Sequence, residues 1–284
     1  MRAALLLIDI QHDFLPLSGA LAVPSGDSIL RAAVYPLLDS GPEEGWAVVV
    51  ASQVRSLLYL TCTPPGKLTK EEEQDAHPPS HISFASRHSL PAFSSTRVDL
   101  PAQLGGGGKE QELWPDHCVR GTRGWELDEG VGERLERLRA EGARVEVVRK
   151  GEHPNLDAYS AFAVPLPLDP SSPAHSESPL ARLLLASVQN RTNAPSQRAD
   201  AQIDTLVVCG LATDFCVRAS VLDALALSQK KGWDILVVRE GVRGVDPDQE
   251  EHVLRELEEA GARVVSVEGE ELKRFLRRRG KGAQ

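Results

Sequence analysis

Six short apolar runs, continuous rather than alternating with polar residues, constrain this chain more than any other feature. They are AALLLIDI (3–10), WAVVVAS (46–52), ARVEVVRK (143–150), DTLVVCGL (204–211), WDILVVRE (233–240) and ARVVSVE (262–268). Continuous hydrophobicity fits strands covered on both faces, as in a parallel sheet. Helical patterns fall between them: SILRAAVYPLLDS (28–40) behind the capping candidate Asp27, EGVGERLERLRAEG (129–142) ending at Gly142, DFCVRASVLDALALSQKKG (214–232) and DQEEHVLRELEEAG (248–261). This alternation predicts an α/β fold: a single doubly wound domain with a mainly parallel central sheet and helices on both faces. In such sheets the functional groups gather at the carboxyl ends of the strands.

Two segments break the pattern. Residues 54–74 have no strand or helix rhythm, and residues 163–202 are rich in Pro, Ser and Asn around the short helical piece LARLLLASV. The second reads as a surface excursion carrying one small helix. Gly105 to Gly108 read as a loop.

The bulk properties exclude several function classes. With 284 residues, 41% hydrophobic and 26% charged, the chain has a globular composition. A net charge of −9 and a pI near 5.4 argue against a nucleic-acid partner. The basic end, LKRFLRRRGKGAQ, reads as a solvated, frayed terminus. No apolar run approaches the roughly 18 residues of a membrane span, and the run opening the chain is too short and too quickly acidic for a signal peptide. The expected location is the cytoplasm, with the nucleus also open. Cys62, Cys118, Cys209 and Cys216 show no paired spacing, which fits free thiols in a reducing compartment.

Three chemically active residues sit at expected strand ends: Asp9, Lys150 and Cys216. Cys216 falls just inside a helix, whose amino end carries partial positive charge and should depress a thiol's pKa. An aspartate can take the thiol proton, a lysine can hold both anions, and nearby backbone N–H groups can receive an oxyanion. Read singly, each residue is better explained by packing or capping; together they point to catalysis. Asp75 and His77, spaced to point the same way, form with His117 a candidate metal set, with His81 and His88 as spares. A carboxylate with two imidazoles suits zinc, iron or manganese.

Five stretches in order carry a family resemblance: LLLIDIQHDFLPLSGALAVPSGDSI, DAHPPSHISFASRH, ELWPDHCVRGTRGWEL, VRKGEHPNLDAYSAF and VVCGLATDFCVRASVLDALALS. Together they resemble the nicotinamidase/pyrazinamidase branch of the isochorismatase-like cysteine hydrolases, over most of the chain outside 54–74 and 163–202. The resemblance implies hydrolysis of nicotinamide to nicotinate and ammonia, a step of NAD salvage. It makes Cys216 the nucleophile, Asp9 the proton shuttle and Lys150 the cation of the triad. Asp75, His77 and His117 match the ligands of one divalent metal, Zn2+ first and Fe2+ or Mn2+ as alternatives. Phe14 and Trp114 match aromatics walling the ring pocket. The Leu211–Ala212 bond falls where the family has a cis peptide, with the amides of Ala212 and Cys216 as oxyanion hole. Ala76 stands where the family commonly has an aromatic.

The implied partner is a small pyridine carboxamide, with no nucleic acid and no membrane; a homo-oligomer is compatible. Rival readings are a cysteine amidohydrolase acting on a carbamoyl or ureido amide, and a homologue impaired by residues 54–74. Deleting that segment joins VVVASQ directly to DAHPPSHISF, as the family pattern has it. Its Val-Arg start and Gln end can be encoded by the two ends of a spliceosomal intron. The segment therefore reads as a retained intron in a eukaryotic gene, or else as a genuine surface insertion.

Overall fold

The computed structural model describes residues 3–40, 45–54, 80–100, 106–151, 153–162, 178–185 and 203–277. Asp75, His77, nearly all of 54–74, and residues 163–177 and 186–202 lie outside the described residues.

The six apolar runs form one sheet: β1 (Ala3–Ile8), β2 (Val48–Val54), β5 (Val145–Lys150), β6 (Thr205–Leu211), β7 (Asp234–Arg243) and β8 (Arg263–Val265). Their order is β5-β2-β1-β6-β7-β8, and every neighbouring pair runs parallel. Every residue of β1 and of β6 is buried, because each strand is covered on both faces. That is why both read as unbroken apolar runs. β2 reaches past the expected span, to Val54, which pairs with Lys150.

Helical segments connect the strands: a π-helical stretch Leu30–Val34 running into α1 (Tyr35–Ser40), α3 (Glu129–Ala140), α5 (Arg218–Lys231) and α6 (Glu250–Glu259). Asp128 caps α3 by accepting from Val131 N–H, and Gly142 follows its end in the left-handed conformation that glycine adopts without penalty. Two hydrophobic cores lie on opposite sides of the sheet: Leu5, Leu7 and Val207 face one, Leu6, Ile8 and Val208 the other.

Four features depart from the sequence reading. Gly108 opens a strand, β4 (Gly108–Leu113), which pairs antiparallel with β3 (Ser94–Asp99). The basic end begins as a helix, α7 (Glu270–Arg277), which buries Leu272. The short helix α4 (Pro179–Leu185) is packed into the core through Leu180, Ala181 and Leu184, so this part of 163–202 is not on the surface. A further short helix, α2 (Ala85–His88), follows the chain from Ser80.

One glycine is required by backbone approach. Gly210 has φ +138°, and a Cβ there would lie 2.1 Å from the carbonyl oxygen of Ile8. β6 can therefore lie against the end of β1 only without a side chain at this position.

Candidate active site

The chain leaves β1 for β2 on one side and β6 for β7 on the other, so the connections reverse direction between β1 and β6. That switch point opens a crevice at the strand carboxyl ends. Asp9 follows β1 there, in the left-handed region with φ 50°, which Asp tolerates better than most side chains. Lys150 is the last residue of β5, two strand spacings of about 4.8 Å away, a gap its long stem spans. Cys216 lies in a π-helical turn, Thr213–Val217, that follows β6 and runs into α5.

The three side chains meet. Lys150 Nζ lies 2.7 Å from Asp9 Oδ2 and donates to Cys216 Sγ at 3.3 Å. All three are buried. Ser52, paired with Ile8 across β1 and β2, accepts from Asp9 N–H through its hydroxyl at 3.2 Å and donates to Asp9 Oδ1 at 2.9 Å. One carboxylate oxygen is thus held by Ser52 and the other faces the lysine.

The electrostatics correct one expectation. Burial pushes the Cys216 thiol up from its ordinary value; Lys150 opposes this and Asp9 adds to it. Helix position alone suggested a depressed thiol pKa; burial shifts it the other way. Burial alone would lower the Lys150 pKa, but the Asp9 carboxylate outweighs it and holds the ammonium above its ordinary range.

Above the triad is a pocket with an empty volume of about 510 Å³, lined by Phe14, Trp114, Tyr159, Phe215 and Val245 among others. Trp114 and Phe215 meet edge to face with centroids 5.0 Å apart, and Trp114 Nε1–H donates to the Tyr159 hydroxyl at 3.3 Å. His117 lines the same pocket, with its ring 5.5 Å from those of Phe14 and Phe84. Its Nδ1 lies 2.7 Å from the Pro115 carbonyl, so Nδ1 carries the proton and Nε2 the lone pair. Burial lowers the His117 pKa.

The Leu211–Ala212 peptide bond is cis, where the resemblance placed one; a second non-proline cis bond, Pro16–Leu17, was not foreseen. Among the described residues there is no cluster of three or more potential metal-ligating side chains. His81 is buried between Ser83 and the Leu156 carbonyl, its pKa pushed down to about 4 by burial, and His88 sits at 2.8 Å from the Ile82 carbonyl.

Known proteins resemble this chain along most of its length. The Escherichia coli K12 nicotinamidase is 33% identical over 266 residues, covering 93% of this chain and 94% of that protein.

The chain belongs to the isochorismatase-like hydrolases, in the nicotinamidase branch.

A model of the isochorismatase domain matches residues 186–269. The Acinetobacter baylyi nicotinamidase is 29% identical, covering 93% of this chain and 92% of its own. Among solved structures, the yeast nicotinamidase Pnc1p superposes with a TM-score of 0.66 at 23% identity, covering 93% of this chain and 99% of that one. The Pyrococcus horikoshii pyrazinamidase in complex with zinc gives 0.54 at 27% identity, covering 94% and 99%. Both superpositions support the α/β fold described above.

The structure brings Asp9, Lys150, Cys216, Ala212, Phe14, Trp114 and His117 to one crevice. Sequence reasoning passed over Ser52, Asp157, Tyr159, Phe215 and Val245. Asp157 and Tyr159 stand inside the VRKGEHPNLDAYSAF stretch, and Phe215 precedes the nucleophile candidate, so adjacency was the available signal. Asp157 accepts from Gln111 Nε2 at 2.9 Å, a link between this loop and β4.

Proposed function

We propose that this chain hydrolyses nicotinamide to nicotinate and ammonia through a thioester on Cys216. The observation that carries the reading is the buried contact chain Asp9–Lys150–Cys216 on the floor of an aromatic-walled pocket. Two nicotinamidases covering over nine-tenths of the chain support the choice of substrate.

The resting triad holds a neutral thiol, a carboxylate and an ammonium, with no net charge. When Asp9 takes the thiol proton, negative charge moves from oxygen to sulfur and Lys150 stays in contact with both. The buried site never carries an uncompensated charge, which is what a low-dielectric pocket demands. The thiolate attacks the carboxamide carbon, and the amides of Ala212 and Cys216 receive the charge on the oxygen. The C–N bond breaks as Asp9 returns its proton to the leaving ammonia. Asp9 then takes a proton from water, whose hydroxyl displaces the sulfur and releases nicotinate.

Asp75, His77 and His117 would hold one divalent ion, Zn2+ first, with Fe2+ and Mn2+ as alternatives. The His117 ring, its orientation set by the contact of Nδ1 with the Pro115 carbonyl, fits a metal ligand. When bound, the ion supplies a Lewis acid for the pyridine nitrogen and for water. Phe14 and Trp114 wall the ring. Residues 54–74 read as a retained intron, or else as a genuine surface insertion. The small-molecule substrate is the only partner the reading requires, and no helix among the described residues is long and apolar enough to cross a membrane.

Ammonia release from nicotinamide by the purified chain, with added zinc and with Cys216→Ala as control, tests the reading. Release by the wild type and none by the variant supports it. Silence from the wild type, and from a form lacking 54–74, transfers the site to the carbamoyl amidases.

A further inference from the structure

We infer that Asp214 is a positioning residue that fixes the pocket wall carrying Val245, and so sets which ring substituents the site accepts. The inference rests on the proposed pyridine substrate only for its choice of probes.

Asp214 stands two residues before Cys216 in the same π-helical turn, yet its side chain points away from the triad to the loop after β7. Its Oδ1 accepts from Val245 N–H at 3.0 Å and its Oδ2 from Asp246 N–H at 2.9 Å. Glu250, in the first turn of α6, accepts from Gly244 N–H at 2.8 Å. Three successive backbone donors of this loop are therefore held by two carboxylates, each a charge-assisted bond of the stronger kind.

The loop is delivered to the crevice by an irregularity in β7. Val208 pairs with Val237, but Gly210 pairs with Val242, so the strand holds extra residues between the two points. Such bulges bend a strand and re-aim the residues beyond the bend. Packing then leaves little slack: a Cβ on Gly244 would lie 3.2 Å from the Asp246 carbonyl oxygen and 3.4 Å from Asp214 Oδ2. Val245 lines the pocket together with Cys216. Asp214 thus ties the element carrying the nucleophile to the apolar wall, and fixes the clearance between them. A methyl group in a hydrophobic pocket changes discrimination by about 10- to 200-fold when the wall cannot move.

The test compares wild type, Asp214→Ala, Asp214→Asn and Val245→Ala, all full length. Two measurements are made: kcat/KM for nicotinamide and its four ring-methylated analogues, and amide hydrogen exchange at Val245 and Asp246. The ratio of kcat/KM values between two amides does not depend on how much of a preparation is folded. We expect Asp214→Ala and Val245→Ala to raise the relative rate for the same methyl position by at least about 5-fold, consistent with the size of a methyl effect. Exchange at both amides should accelerate in Asp214→Ala and less in Asp214→Asn, which keeps one acceptor. Ratios within twofold of wild type for every analogue, or unchanged exchange, would overturn the inference. If the wild type hydrolyses none of these amides, the same comparison is made on the Kd of nicotinate and its methylated forms by calorimetry. A selectivity change there upholds the role of Asp214 while the proposed reaction falls; absence of binding overturns both.

Discussion

Replacing Lys150 by Met removes a cation that touches both Asp9 and Cys216, while keeping most of the side-chain volume. At 2.7 Å the Asp9–Lys150 attraction is about 6 kcal/mol with an effective dielectric constant near 20. Both side chains are nearly inaccessible, at 0% and 2%, so desolvation offsets much of that attraction. The pair is worth little net, but breaking it leaves a buried carboxylate alone. Lys150→Met should therefore cost about 3–5 kcal/mol of folding stability. At about 2–4 °C per kcal/mol for a chain of this size, the Tm falls by about 6–20 °C. Asp9→Asn should also destabilise, by stranding the ammonium. The double variant has neither charge and should be more stable than the sum of the single costs implies, with a coupling of at least about 2 kcal/mol. Urea titration of the four proteins measures this, and ammonia release should fall by at least about 1,000-fold in all three variants. Single variants within about 1 kcal/mol of wild type, or costs that add to within about 0.5 kcal/mol, would refute the reasoning.

Ser52→Ala should lower kcat more than it raises KM, because the hydroxyl orients the Asp9 carboxylate and touches no substrate, and should cost about 1–2 kcal/mol in a melt. Stability should fall on the alkaline side. Burial holds the thiols of Cys118, Cys209 and Cys216 above their ordinary value. The folded chain therefore keeps protons that the unfolded chain loses near pH 8.5. This contribution is complete below about pH 8.5 and declines above it, by up to about 1.4 kcal/mol per pH unit for each thiol. Cys209→Ala should shallow the slope of urea midpoint against pH between about 8.5 and 10, and an unchanged slope would show that burial does not set these thiols. Deleting 54–74 should leave ammonia release and Tm at or above the full-length values, and loss of the fold would show the segment to be structural.

The chain's own order of residues carried the fold a long way. Strands covered on both faces must be apolar throughout, so β1 and β6 stood out without any neighbour in view. Helix periodicity and the glycines after α3 and α5 marked where each crossover ended. Asp9, Lys150 and Cys216 were visible because strand ends can be located from where the apolar runs stop. The β3–β4 hairpin was not visible. SSTRVD and GKEQEL are largely polar and exposed, so they carry neither period. Leu272 anchors α7 in the core, a small signal beside a run of basic residues.

What the sequence could not decide is adjacency. Nothing local says that β1 lies between β2 and β6; burying both faces of the sheet decides it, and that brings Ser52, Lys150 and Cys216 to Asp9. The state of Cys216 was likewise tertiary. Helix position suggested a depressed thiol pKa, but the burial that comes with sheet packing disfavours the charge and pushes it up. Apolar pattern and residue chemistry are properties of the chain, whereas strand order, burial and the distances between charges exist only once it has folded.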